Sequence, residues 1–179
     1  MSDSFSIMVH GGAGALDNIK TDKDHVRYLE SIRTTLEYGR SILSEGGGAL
    51  QAVEACASML EDDPMFNAGC GSVLNEDGKV EMDAGIMEGK HLRAGSVAGI
   101  HNIANPISLA RIVLEQSEHV MLIGAGAMRF AEMYNVERMP DPYFLTEDRI
   151  KQYNQASLKG KTMLDHEDLN YPDNKFGTI

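Results

Sequence analysis

The sequence is short of cysteine, of basic residues and of long apolar runs, and each shortage narrows what the chain does. Only Cys56 and Cys70 occur in 179 residues. Two thiols are too few for a disulfide scaffold, and they lack metal-ligand spacing. A reducing compartment is the natural reading. Lys and Arg number 16 against 27 Asp and Glu, for a formal net charge of −11. Nucleic acids and anionic membranes both demand a basic footprint, so neither is expected as a partner. The charge suits a soluble protein that handles small molecules. No apolar run approaches a membrane span. The segment from Met1 to His10 has no basic stretch leading into a long apolar one, so no secretory signal is read there and a cytoplasmic location is expected. His25, His91, His101, His119 and His166 have no partner at metal spacing, and ordinary surface or core roles are expected for them.

What is present is the material of one globular domain. Hydrophobic residues make up 42% and charged residues 24%, enough to build a real core at this length. Residues 5–9, Phe-Ser-Ile-Met-Val, read as a short buried strand running into a glycine-rich turn. Val26, Leu29, Ile32, Leu36, Ile42 and Leu43 recur at helical spacing, and Gly46-Gly47-Gly48 stops that helix. A second helix puts Leu50, Val53, Ala57 and Leu60 on one face and ends at Pro64, which lacks an amide donor.

Residues 71–100 read as a β-meander. Asn75 to Gly78 turns between two short strands, and Val80, Met82, Ala84 and Ile86 then alternate with polar or small residues. Arg93–Ile100 reads as a further strand whose small side chains predict close approach of a neighbouring layer. Asn105-Pro106 opens a third helix. A strand at residues 119–123 and a helix from about 125 to 134 follow, and a weakly amphipathic helix spans about 146–158. Met59, Met82, Met87 and Met121 fall in expected core elements as gap fillers. From Gly160 the chain is polar and aperiodic, and residues 160–177 read as a flexible linker. It closes on Phe176-Gly177-Thr178-Ile179, which reads as the opening of a new strand and so as one piece of a larger precursor.

Six segments carry a family likeness: His10-Gly-Gly-Ala-Gly14, Gly46 to Val53, Leu60 to Gly71, Glu81-Met-Asp-Ala84, Ala104-Asn-Pro-Ile107, and Gly177-Thr178. In this order and spacing the sequence, from about residue 5 onward, resembles the isoaspartyl peptidase/plant-type L-asparaginase family of N-terminal-nucleophile (Ntn) hydrolases. The resemblance implies an α+β fold, a four-layer αββα sandwich, of which residues 1–159 would supply the α-subunit part and residues 178–179 the start of a β subunit. It implies a precursor that cuts itself before a threonine, with the two halves held as one folded unit. Such units pair into a dimer of αβ heterodimers, a heterotetramer.

Site residues follow from the same resemblance. Cleavage at Gly177–Thr178 would give Thr178 a free α-amine, which titrates near neutral pH and can act as base for its own Oγ. Glycine at 177 allows the strained close approach that eases attack on its carbonyl. Gly-Thr is also a common dipeptide, and the family context is what makes Thr178 the expected nucleophile. Asn67 would support the oxyanion region through its amide donor; read alone, it equally suits a loop that merely turns the chain. The segment around it matches a sodium-binding loop, with backbone carbonyls of Leu60, Glu61, Asp63, Phe66, Ala68 and Cys70 as ligands to a structural Na+. The acidic run Glu61-Asp62-Asp63 also suggests a carboxylate metal site, but it lacks the alternating ligands of a Ca2+ loop, and an acidic helix end is the plain alternative. The loop of His10, Gly11, Gly12 and Gly14 would lie near the nucleophile and bear on self-cleavage. It lacks the third glycine of a dinucleotide fingerprint. The better dinucleotide candidate is Gly124-Ala-Gly126-Ala-Met-Arg129, where Arg129 stands in the third-glycine position.

The reaction implied is hydrolysis of L-asparagine or of a β-aspartyl (isoaspartyl) dipeptide, with no organic cofactor and the β subunit as obligatory partner. Without that half the chain is expected to be inactive; the alternative reading is a non-catalytic fragment or scaffold that only binds its partner half. The related glycosylasparaginases are secreted or lysosomal, against which the absent signal segment and scarce cysteine both count.

Overall fold

A computed structural model of the chain describes residues 4–12 and 21–159. The expected linker 160–177, the Gly177–Thr178 junction and Gly14 lie outside the described residues. The chain divides into two compact units, the first reaching to Cys56 and the second beginning at Ala57.

In the first unit, helix α1 spans Asp22–Ser44. The Thr21 hydroxyl starts it by accepting from the Asp24 amide at 3.2 Å. Glycine ends it: Gly46 sits at φ +88, while the amides of Gly46 and Gly47 return to the carbonyls of Leu43 and Ile42 at 3.2 and 2.8 Å. These two bonds form a Schellman motif. Helix α2, Ala49–Asp62, begins in this unit and continues into the next. The α1–α2 contact is made by small groups. Thr35 and Gly39 are buried, the Cys56 thiol donates to the Thr35 carbonyl at 3.4 Å, and a Cβ at Gly39 would collide with Cys56 Sγ and Ile7 Cδ1. The buried row of α2 is Ala52, Cys56 and Leu60, and Val53 is 49% exposed, so the true inner face is rotated from the expected one.

The expected strand at residues 5–9 is not formed among the described residues. Ile7 and Val9 are half-buried while Ser6, Met8 and His10 are exposed, so the period-two pattern is present. A strand also needs a paired neighbour, and no described strand supplies one.

The second unit is built on a three-stranded sheet. Strand β1, Met82–Glu88, pairs antiparallel with β2, Arg93–Ile100, and β2 pairs parallel with β3, Met121–Ile123. Residues 71–80 form no strand, so the meander is shorter than expected. The Asn75 turn is present: the Asn75 amide donates to the Lys79 carbonyl at 2.8 Å, and its side-chain oxygen accepts from the amides of Asp77 and Lys79. A bulge interrupts the β1–β2 ladder between Met82 and Ala84. Gly99, at φ +58, takes the extra position, and its amide donates to Asp83 Oδ1 at 2.8 Å.

Helix α3, Pro106–Gln116, crosses between β2 and β3 and buries Ile107, Leu109, Ala110, Val113 and Leu114. It packs on β1 and β2, and Gly95 is where it comes closest: a Cβ there would strike the Ala110 carbonyl and Leu114. The run of small residues in β2 therefore has the meaning expected of it. Helix α4, Gly124–Met133, packs on β2 and β3, followed by one 3-10 turn at Asp141–Tyr143 and helix α5, Glu147–Lys159. Met82 is buried as expected. Met87 and Met121 are not: they are 62% and 53% exposed. Met87 follows the buried Ile86, and Met121 pairs with Ser96 beside the buried Val97, so both lie on the sheet face opposite the buried side chains.

Candidate functional site

The densest chemistry lies in the loop between α2 and β1. Helix α2 ends at Asp62 because Pro64 follows, and the Asp63 carboxylate accepts from the Met65 amide at 3.0 Å, turning the chain. The Cys70 amide then returns to the Glu61 carbonyl at 2.7 Å, the Phe66 amide to the Asp63 carbonyl at 3.1 Å, and the Ser72 amide to the Gly69 carbonyl at 3.3 Å. Two glycines make this coil possible. Gly69, at φ +49, lies so close to the Glu61 backbone that no Cβ fits, and a Cβ at Gly71, at φ +107, would crowd the carbonyls of Pro64 and Phe66. Leu60, Glu61 and Phe66 are buried, while Asp63, Ala68 and Cys70 are half-buried. The loop is thus a tight backbone coil with several carbonyls turned toward its own interior. The carbonyls of Glu61 and Asp63 accept the backbone bonds just named. Oxygens of this kind suit a hard cation of the Na+ type. Among the described residues no three His, Cys, Asp or Glu side chains converge as a metal site.

Asn67 lies within this loop, half-buried. Its Oδ1 accepts from the Val73 amide at 2.9 Å. A backbone N–H can only donate, so this bond fixes which side-chain atom is oxygen. Among the described residues the Nδ2 hydrogens meet no acceptor. That is the polarity a developing oxyanion requires.

The surroundings are acidic. The Asp62 carboxylate accepts from Asn105 Nδ2 at 3.0 Å and from the Tyr143 hydroxyl at 3.5 Å. Burial pushes the Cys70 thiol above its ordinary pKa, and the nearby Asp62 and Asp63 push it further. Tyr143 is raised by burial first and then by Asp62. Both shifts favour the protonated thiol and phenol.

The Glu61 side chain does work that sequence reasoning missed. It is 6% exposed, and its Oε1 accepts from the Ile107 amide at 2.9 Å, at the start of α3. Asn105, the N-cap residue of α3, makes no capping bond with its own side chain. Nothing in the acidic run separates Glu61 from Asp62 by sequence, since only the fold places α3 beside the end of α2.

The His10–Gly12 stretch belongs to the first unit, with His10 and Gly12 exposed and Gly11 half-buried. Gly12 has φ +130, a value that favours glycine. The other glycine-rich segment does run from β3 into α4. It borders a cavity of about 480 Å3 whose lining includes Glu81, His101, Gly124, Arg129 and Arg138. That lining mixes both charges, and Arg129 faces the same space as the glycine turn.

A sequence model of the family described as asparaginase matches residues 3–179. The chain belongs to this asparaginase family. A plant-type L-asparaginase from Thermococcus kodakarensis is 49% identical over 154 residues, 86% of this chain and 48% of the relative. An isoaspartyl peptidase from Escherichia coli is 40% identical over 175 residues, 97% of this chain and 54% of the relative. An isoaspartyl peptidase/L-asparaginase from Bos taurus is 46% identical over 153 residues, 86% of this chain and 49% of the relative. The chain therefore spans about half the length of the curated relatives it matches. In this asparaginase-family chain, no helix among the described residues is long and apolar enough to cross a membrane.

Proposed function

We propose that the chain is the α-subunit region of a self-processing amidohydrolase acting on L-asparagine and β-aspartyl dipeptides. The observation that carries this is the family match over residues 3–179, with relatives named isoaspartyl peptidase and L-asparaginase. Cleavage of the Gly177–Thr178 bond frees the Thr178 amine. Thr178 Oγ then attacks the β-amide carbonyl of the substrate, and its proton passes to that amine. The carbonyl oxygen becomes an oxyanion, stabilised by Asn67 Nδ2. The bond Asn67 Oδ1 makes with the Val73 amide supports this role, because it leaves the donor end available. The tetrahedral intermediate collapses and expels ammonia or an amino acid, which takes the proton. Water then hydrolyses the β-aspartyl ester and restores Thr178.

A Na+ ion on the carbonyls of Leu60, Glu61, Asp63, Phe66, Ala68 and Cys70 would add charge that stiffens the Asn67 loop. The glycine-rich loop of His10, Gly11, Gly12 and Gly14 serves the self-cleavage step. The β subunit completes a four-layer αββα sandwich in a cytoplasmic dimer of αβ heterodimers, and groups that grip the substrate α-amino and α-carboxyl lie in it. An α region without its β partner is inactive.

The test is the intact mass, under denaturing conditions, of protein expressed from the complete reading frame. Two masses are expected, one ending at Gly177 and one starting at Thr178, and Thr178→Ala should leave a single uncut mass. An uncut wild-type chain after long incubation would remove Thr178 as nucleophile and leave a scaffold that only binds a partner.

A further inference from the structure

We infer that Arg149 is a positioning residue for Asn67, acting through the backbone of Gly71 to Val73. The inference rests on the proposed role of Asn67 as oxyanion donor. Arg149 lies in the first turn of α5, where its neighbours Glu147, Asp148, Ile150 and Lys151 are all exposed. Arg149 alone in that turn is turned inward, at 9% exposure. Burying a guanidinium is costly unless its donors are used, and here they are. Nε donates to the Gly71 carbonyl at 2.7 Å, and Nη1 donates to Gln152 Oε1 at 3.0 Å. The first is a short bond from a charged donor, of the stronger class.

Gly71 is held from its other side by the same stretch of chain, since its amide donates to the Phe144 carbonyl at 3.3 Å. Phe144 is 2% exposed, so that acceptor is fixed in the core. Both polar groups of Gly71 are thus anchored to residues 144–149. Gly71 itself has no spare room, with the Pro64 and Phe66 carbonyls against the place a Cβ would take. Two residues further on, the Val73 amide sets the rotation of the Asn67 side chain. A shift of the Gly71 peptide moves Val73, and a shift of Val73 swings the Asn67 amide donors. Lysine cannot replace this arrangement, because only a planar fork reaches the carbonyl with Nε while Nη1 is held by Gln152.

The test is a mutant cycle in the complete precursor, with kcat and KM measured on the processed enzyme. Arg149→Lys should lower kcat by roughly 10- to 100-fold with KM within about twofold, the pattern of a misplaced transition-state donor. Gln152→Ala should act in the same direction and more weakly. The combination Asn67→Ala/Arg149→Lys should be no slower than Asn67→Ala alone, because two residues acting as one unit are not additive. Should Arg149→Lys fail to fold, Gln152→Ala with Asn67→Ala/Gln152→Ala forms the same cycle. Losses that multiply, or a wild-type kcat in Arg149→Lys, would overturn the inference while leaving Asn67 in place. A wild-type kcat in Asn67→Ala would overturn the Asn67 reading and this inference together.

Discussion

At the scale of single residues, glycine carries much of the information. Gly95 was legible as part of a run of small residues, but not which atoms it makes way for. The structure supplies them: the Ala110 carbonyl and Leu114 of α3, both too close to admit a Cβ. The carbonyl cannot rotate away without breaking the helix. Gly95→Ala should therefore destabilise the protein by about 1–3 kcal/mol, the range for an overfilled core. Thermal or urea unfolding reads this directly, and an unchanged midpoint would mean that α3 slides on the sheet at no cost. Asn67 was legible in part. The asparagine and the glycines at 69 and 71 stand out in the sequence, whereas the bond from the Val73 amide that orients it does not. Arg149 was not legible at all, because a basic residue in a polar helix looks like solvated surface until the fold sets it beside Gly71.

At the scale of elements, helices were read well and strand pairings less so. The reason is that a helix closes its hydrogen bonds within a few residues, so spacing and stop signals suffice. All five helices among the described residues begin and end near their sequence signals. The β1–β2 hairpin was also local enough to read. Its closing turn is fastened by an ion pair and a hydrogen bond: Glu88 Oε1 lies 3.1 Å from Arg93 Nε and 2.6 Å from His91 Nδ1. The hydrogen bond from Arg93, and then that from His91, hold the Glu88 carboxyl below the usual carboxylate range. Its folded pKa is depressed, so the contribution to stability is present at neutral pH. That contribution is lost as pH falls through the lowered pKa. An NMR titration should find Glu88 more acidic than a free glutamate, and Arg93→Ala should return it toward the ordinary value. Because ion pairs of this kind are screened by water and salt, Glu88→Gln should change the melting temperature little at neutral pH and remove only this acid-side dependence. A carboxyl that titrates normally would mean the pair does not persist in solution. The segment at residues 5–9 shows the opposite case, since alternation alone cannot name a partner strand.

At the scale of the whole molecule, the sheet of the second unit has two unlike faces. One face packs on α3 through Gly95, Val97 and Ile86, which are buried. The alternate positions, Gly85, Met87, Ser96, Met121 and Ile123, fall on the opposite face, and Met87, Met121 and Ile123 are each more than half exposed. Small residues flanked by large apolar ones make a surface that another layer can pack on. Sequence spacing records the apolar character of the methionines but not the layer that covers them, so Met87 and Met121, expected core fillers, stand exposed. If a second sheet from the β subunit lies there, as proposed, one substitution should have opposite effects in two contexts. Met121→Lys should raise the solubility of residues 1–179 expressed alone, because it charges an exposed apolar face and edge strand. In the complete precursor the same lysine would be buried without a partner, a cost of several kcal/mol, and folded, processed protein should fail to accumulate. Soluble yield in both contexts, with intact mass in the second, is the measurement. Equal tolerance in both would mean that this face stays open to water, and the four-layer arrangement would have to be abandoned for this sheet.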